Sequence, residues 1–74
     1  MREIHEGKIY SHFKGKLYRV IAIATHTETE ELMVVYRALY GEYRVFVRPY
    51  AMFAGEVARE KFRDVTQVYR FEET

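Results

Sequence analysis

The chain has 74 residues and almost balanced charge, and both properties narrow the classes of protein to which it can belong. Its length allows a single domain, which we place over residues 1–74. With 12 Lys and Arg against 11 Asp and Glu, its formal net charge of +1 argues against general nucleic-acid binding. The absence of Cys excludes disulfides and Cys-based metal sites. The longest apolar run, residues 20–24, is too short to cross a membrane, so we expect a cytoplasmic protein.

The predicted elements are mostly strands. Residues 8–13 form a short strand, and a tight turn at Lys14-Gly15 leads into a second strand over 16–25, which is rich in β-branched and aromatic residues. The polar residues 26–30 form an exposed connection. Residues 31–40 and 43–49 flank Gly41-Glu42, a pair that favours a two-residue type II′ hairpin turn.

The remainder of the chain is less regular. Pro49 ends the fourth strand and opens a helical turn over residues 50–53. A second helical stretch is predicted over 58–62 and a final strand over 65–71. We therefore expect a mainly all-β fold, a small SH3-like five-stranded barrel with a short helical turn before the last strand. Pairing of the last strand with the first would protect the sheet edges.

The hairpin turn predicts which side chains share a face. A two-residue turn places Tyr36 opposite Val47 and Ala38 opposite Val45, and these apolar residues would form the buried face. Arg37, Phe46 and Arg48 would then lie together on the opposite face. A one-residue bulge at the turn would exchange the faces, but we prefer the unshifted register because the bulge would turn arginines inward.

The predicted surface of Arg37, Phe46 and Arg48 is the first candidate ligand-binding site. Guanidinium groups beside an aromatic ring suit a planar or anionic ligand, through bidentate hydrogen bonds and cation–π stacking. The simpler interpretation is that the arginines shield apolar neighbours. They could also form ion pairs within the molecule, for which the carboxylates on hand are Glu28, Glu30, Glu31 and Glu56.

Two further candidates lie in the polar connection, where His26 and Glu28 carry groups that can bind a ligand. Their spacing with Glu30 and Glu31 matches no metal-binding pattern, so we expect no metal and no cofactor. The chain has a single Ser, Ser11, and a single Asp, Asp64, which disfavours a catalytic triad. We assign no catalytic residue and expect no enzymatic activity.

Five motifs occur along the chain: Gly7-x-x-Tyr10-x-His12-Phe13-Lys14-Gly15-x-x-Tyr18, His26-Thr27-Glu28-Thr29-x-Glu31, Val34 to Gly41, Phe46-Val47-Arg48-Pro49 and Met52-Phe53. Together they resemble the signature of a small bacterial family, domain of unknown function 1653. The resemblance implies a β-rich domain with no established activity. It marks as motif positions His26, Glu28, Tyr36, Arg37, Arg48, Pro49 and Met52. Phe46 stands where the family has tryptophan, and the charged segment before Arg70-Phe71 departs from the family's ending.

The function expected from these features is that of a non-enzymatic binding or interaction module, acting through the Arg and aromatic surface of the central hairpin. The alternative is a nucleic-acid or nucleotide-binding small β-barrel that uses the same surface. We expect the partner to be a protein, a peptide or a small anionic ligand rather than nucleic acid. The protein itself is expected to be a monomer or a weak homodimer.

Overall fold

The fold consists of five strands and one short helix. A computed structural model describes residues 2–74. In chain order the elements are β1 (Ile9–His12), β2 (Leu17–Thr25), β3 (Leu32–Ala38), β4 (Val45–Pro49), α1 (Tyr50–Phe53) and β5 (Phe71–Glu73). The helical turn predicted after Pro49 is therefore confirmed in its position and length. In the part of the chain described, no helix is long and apolar enough to span a bilayer.

All strands belong to one antiparallel sheet with the order β4-β3-β2-β1-β5. The predicted pairing of the last strand with the first is confirmed, because Tyr10 lies opposite Glu73 and His12 opposite Phe71. The sheet is not closed, since β4 and β5 are its two edges and do not pair. The structure thus establishes an all-β fold of five antiparallel strands, and it does not establish the predicted SH3-like barrel.

The sheet curls around one of its faces, which we call the concave face. Arg48 of β4 lies with its guanidinium carbon 5.6 Å from the ring centroid of Phe71 in β5, although three strands separate them in the sheet. The other side of the sheet is the outer face. It carries Val45, 47% exposed, and Val47, 60% exposed.

The predicted register of the hairpin is wrong by one residue. Tyr36 lies opposite Phe46 rather than Val47, and Arg37 lies opposite Val45 rather than Phe46. Tyr36 and Ala38 are buried as predicted, but Val45 and Val47 lie on the outer face. The predicted surface of Arg37, Phe46 and Arg48 is therefore not formed, because Arg37 points to the opposite face from the other two.

The cause of this error is the connection between the strands. A loop over residues 39–44 replaces the predicted two-residue turn, and it holds Gly41 at φ 59° and Tyr43 at φ 57°. The Tyr43 N–H donates to the Tyr40 carbonyl at 3.1 Å, and the Ala38 N–H donates to the Arg44 carbonyl at 2.9 Å. This pairing of Ala38 with Arg44 sets the observed register.

The core lies between the concave face and the segments that cover it. Phe53 of α1 and Phe71 of β5, 0% and 1% exposed, stack with their ring centroids 4.0 Å apart. Tyr10 meets Phe53 edge to face at 5.7 Å. Other buried members of the core are Ile4, Val20, Val34, Tyr36 and Ala54. A one-residue bulge at Ile21 leaves Ile23 opposite Val34, so β2 contributes to the core on both sides of the irregularity.

The segment between α1 and β5 differs most from the prediction. The helix predicted over 58–62 is a single turn, in which the Phe62 N–H donates to the Ala58 carbonyl at 3.0 Å. The last strand is predicted over 65–71, but β5 begins only at Phe71. An isolated bridge between Glu56 and Tyr69 precedes it. Side-chain hydrogen bonds hold this segment instead, such as that from Gln67 Nε2 to the Ser11 carbonyl at 3.0 Å.

Candidate functional site

Phe46 and Arg48 are the two predicted site residues that the structure brings onto one surface, the concave face. Each lies opposite a buried residue of β3, Phe46 opposite Tyr36 and Arg48 opposite Val34. The ring of Phe46 lies 5.8 Å from that of Tyr36 and is 36% exposed, so it forms part of the rim of the face. The candidate site therefore lies on the open part of the concave face and not on the outer surface of the hairpin, where it was predicted.

Arg48 differs from the other half-buried arginines in the partners of its guanidinium. Arg2 donates to the Ala54 carbonyl and Arg70 to the Met52 carbonyl, so these two arginines tie chain segments together. Arg48 is also half-buried, but it makes no hydrogen bond to a backbone carbonyl, and within residues 2–74 no Arg or Lys lies within 4.0 Å of a carboxylate oxygen. The ion pairs considered for the arginines are thus not formed. The guanidinium lies over Phe71 and bonds to the side chain of Tyr36, and neither contact neutralises its charge.

Arg48 lies near Tyr18 and Tyr36, and Tyr18 contacts Tyr40. We call Tyr18, Tyr36, Tyr40 and Arg48 the tyrosine–arginine cluster. The hydroxyl oxygens of Tyr18 and Tyr40 are 2.7 Å apart, and the Tyr18 ring lies 5.5 Å from that of Tyr36. Burial, together with the hydrogen bond to Tyr40, raises the pKa of Tyr18 to about 12. Burial also raises the pKa of Tyr36, and the charge of Arg48 opposes that shift. Both hydroxyls are therefore protonated at neutral pH and can donate.

His12 lies beside the cluster on β1. Its ring meets Phe71 edge to face at 4.8 Å and Tyr18 at 6.2 Å. The Lys14 N–H donates to His12 Nδ1 at 3.1 Å, which favours the neutral Nε2–H tautomer. Burial lowers the pKa of His12, and the charges of Arg48, Lys14 and Arg70 lower it further. At neutral pH the cluster and His12 therefore combine one guanidinium with neutral donors and aromatic rings, and they include no carboxylate.

The rim of the concave face holds a shallow depression of about 80 Å³ at the hairpin loop. It is lined by Ala38, Tyr40, Gly41, Glu42, Arg44 and Phe46. Cations lie over two aromatic rings at this rim, with Lys16 Nζ 5.1 Å from the Tyr40 centroid and the Arg44 guanidinium 5.6 Å from that of Phe46. The depression is smaller than a typical drug-sized pocket and accommodates one ring or one side chain.

The remaining predicted site residues lie elsewhere. Arg37 is exposed on the outer face, opposite Arg19 in β2 and Val45 in β4. His26 and Glu28 lie in the loop between β2 and β3, where His26 Nδ1 accepts the Glu28 N–H at 3.2 Å. His26 thus organises its own loop, and neither residue forms a hydrogen bond or ion pair with Arg48. Within the described residues, no group of three or more metal-ligating side chains is placed to hold a metal ion.

Three residues of the site were missed by the sequence interpretation: His12, Tyr18 and Tyr40. A signal for two of them was present, since strand alternation in 8–13 and 16–25 puts His12 and Tyr18 on the same faces as the apolar Tyr10 and Val20. Tyr40 is predicted at the end of the strand over 31–40, on the same face as Tyr36, but the structure places it in the loop over residues 39–44 that replaces the predicted turn.

The fold and the site define a small antiparallel β domain whose concave aromatic face surrounds a half-buried guanidinium. Over residues 8–73 the chain matches the family described as Protein of unknown function (DUF1653). The chain belongs to this family, as its motifs suggested. The crystal structure of a DUF1653 protein from Bordetella bronchiseptica is 27% identical, with a TM-score of 0.78, and the match covers 100% of this chain and 91% of that one. The search of curated proteins gives no match.

Proposed function

We propose that the protein is a non-enzymatic binding module, and that its concave face binds an anionic group attached to a planar or apolar group. The observation that carries this proposal is the state of Arg48. Arg48 is half-buried, its guanidinium lies over an aromatic ring, and no carboxylate of the described chain neutralises it. A charge in that position is available to an acidic ligand from outside.

The surroundings of Arg48 support the same ligand class. A guanidinium offers paired donors that match a carboxylate or phosphate, and partial burial strengthens the interaction by reducing the local screening by water. The hydroxyls of Tyr18 and Tyr36 supply further donors, while the Phe46 ring offers a face for the apolar part of the ligand. Small SH3-like barrels commonly present aromatic grooves to peptides, and we extend that analogy of fold to this sheet.

Benzoate and phenyl phosphate test the proposal, because each joins one anionic group to one ring. We expect both to shift the amide and side-chain NMR signals of Arg48, Tyr36 and Phe46. Arg48→Gln should weaken binding about tenfold or more, since a hydrogen bond to a charged group contributes about 1.5–3 kcal/mol. Arg37→Gln is the matched control, because it removes the same charge from the outer face of the same sheet, and it should leave binding unchanged. Equal losses in both variants, or no shift on the concave face, would refute the proposal.

A nucleic-acid or nucleotide binder is the second candidate, and the rim supplies its supporting observation. Lys16 over Tyr40 and Arg44 over Phe46 pair cations with partly exposed rings, an arrangement on which nucleobases can stack. With a net charge of +1, we expect no measurable binding to random single-stranded or duplex DNA at physiological salt. Retardation of such a probe at micromolar protein, weakening steeply with salt, would favour this second candidate.

A further inference from the structure

The edge of the sheet at β4 has backbone hydrogen-bonding groups without partners. The Ala38 N–H donates to the Arg44 carbonyl, so Arg44 and every second residue after it point their backbone groups toward β3. The intervening Val45 and Val47 therefore point their N–H and C=O groups away from the sheet. Within residues 2–74, no other backbone or side-chain group bonds to them. Pro49 continues this alternation and has no N–H to leave unpaired.

The opposite edge of the sheet is partly covered. At β5 the guanidinium of Arg2 donates one hydrogen bond to the Phe71 carbonyl. It donates a second to the Ala54 carbonyl, in the segment after α1. The Arg2 guanidinium carbon also lies 4.1 Å from the centroid of Tyr69. An added strand would have to displace these contacts at β5, whereas the outward backbone groups of Val45 and Val47 in β4 are free to pair.

We propose that β4 binds an extended acidic segment of a partner protein as a sixth antiparallel strand. This inference rests on the proposed function, because it places the acidic group of that ligand against Arg48. The backbone groups of Val45 and Val47 supply the ladder, and the side chains of β4 supply the selectivity.

Charge complementarity identifies the occupant of this edge. On the concave side β4 presents Phe46 and Arg48, and Arg44 immediately precedes the strand, so a paired strand meets two cations separated by a ring. A second copy of the chain, paired symmetrically through Val45 and Val47, would place Arg44 opposite Arg48, and like charges directly opposite are destabilising. A segment with acidic residues at its first and fifth positions and an apolar residue between them fits the same spacing.

The outer side of β4 specifies the remaining positions. Val45 and Val47 are 47% and 60% exposed, whereas Val35, which lies opposite Val47 in β3, is half-buried. β-branched residues at the second and fourth positions of the segment would pack beside these valines. The matching segment thus alternates acidic, β-branched, apolar, β-branched and acidic residues.

An acetylated and amidated peptide containing Glu-Val-Tyr-Val-Glu is the probe. Amide hydrogen exchange of Val45 and Val47 should be fast in the free protein, and it should slow about a hundredfold at a peptide concentration of 100 Kd. The same peptide with Lys in place of both Glu should bind at least tenfold more weakly. A peptide N-methylated at both Val should not slow exchange, because those N–H groups would face β4.

Protein variants provide the second arm. Val47→Pro removes an outward N–H that the β3–β4 ladder does not use, and it should abolish binding, whereas Val47→Thr should retain it. Arg44→Glu should weaken binding of the acidic peptide and strengthen binding of the Lys peptide. Should Val47→Pro fail to fold, as judged by circular dichroism, the N-methylated peptide supplies the same test on the native chain.

The outcomes separate this inference from the proposed function. Binding of benzoate at Arg48 without protection of Val45 and Val47 by the peptide would overturn strand addition and leave the proposed function standing. Absence of both would overturn both. A dimer that Val47→Pro converts into a monomer would show that a second copy occupies the edge, and would also overturn the inference. Slowed exchange with the Glu peptide, lost on N-methylation, supports it.

Discussion

Arg48 shows how the position of one side chain depends on more than its charge. The sequence predicted that Arg48 lies on the exposed face of the hairpin, because burying a charge without a partner is costly. In the structure it is half-buried, its stem covers the concave face and its guanidinium lies over Phe71, so the cost of inward placement is small. Whether an arginine of this kind points inward depends on the neighbouring rings, and these are known only once the strands are paired.

The packing of Arg48 predicts a measurable contribution to stability. Arg48→Ala should lower the free energy of unfolding by about 1 kcal/mol, since it uncovers the edge of the aromatic core. Arg37→Ala, in which the removed side chain is exposed on the outer face, should change it by less than about 0.5 kcal/mol. Urea unfolding of the two variants makes the comparison. A loss of several kcal/mol for Arg48→Ala would mean that Arg48 is a structural residue and would weaken its assignment to a binding site.

His12 gives a second prediction at this scale. Its C–H resonances should titrate with a midpoint below the ordinary value of 6.5, because burial and the charge of Arg48 disfavour the imidazolium. Arg48→Ala should raise that midpoint, and Arg37→Ala should leave it unchanged. NMR titration of the three proteins checks this, and a midpoint above 6.5 in the native chain would contradict the packing of His12 against Phe71.

The sign of the pH effect on stability follows from the same shift. Because the folded pKa of His12 is lowered, the unfolded chain binds this proton more readily than the folded chain. The contribution of His12 therefore destabilises the fold as pH falls from about 6.5 toward the lowered pKa. His12→Gln should lose less stability than the native chain over that interval.

At the scale of elements, the predictions succeeded where the local sequence decides the structure. Pro49 cannot continue a central strand, so the helix at Tyr50–Phe53 and the end of β4 followed from one residue. The register of β4 failed because it depends on a loop in which Tyr43 adopts a positive φ, which is uncommon for a non-glycine residue. The same error affects the candidate site, because Phe46 and Arg48 were predicted to share the outer face of the hairpin and instead share the concave face.

The observed register makes a prediction about two valines on adjacent strands. Val34→Ala should cost about 2 kcal/mol, because Val34 is fully buried on the concave face. Val47→Ala should change stability by less than about 0.5 kcal/mol, because its side chain lies on the exposed outer face. Thermal or urea unfolding distinguishes the two. A larger loss of stability for Val47→Ala than for Val34→Ala would support the predicted two-residue turn and contradict the loop over residues 39–44.

For the whole molecule, the aromatic core joins elements that are far apart in the chain. Phe71 stacks on Phe53 and meets the rings of His12, Tyr18 and Tyr36, so one residue of β5 connects four other elements. A domain of this size has little apolar surface to spare, because small domains bury a smaller fraction of their surface. The short β5 therefore has an importance that its three-residue length does not indicate, and the sequence pattern did not reveal it.

Removal of the Phe71 ring should consequently affect the entire fold. Phe71→Ala should cost about 3–5 kcal/mol, which is comparable with the total stability of many small domains. We expect the variant to be largely unfolded at 37 °C by near-ultraviolet circular dichroism, whereas Phe71→Leu should remain folded with a lower Tm. Retention of native stability by Phe71→Ala would contradict the central position of this ring.

The pairing of β5 with β1 also bears on how the protein is made. β5 pairs with Tyr10 and His12 of β1, and its Phe71 ring stacks on Phe53. This strand is translated after the other core residues. A nascent chain that has reached Arg70 therefore exposes an incomplete core, and the final pairing must close a loop that spans most of the chain. During this interval β1 and β4 are both unpaired edges of the sheet, and unpaired strand edges make an incomplete fold prone to aggregation.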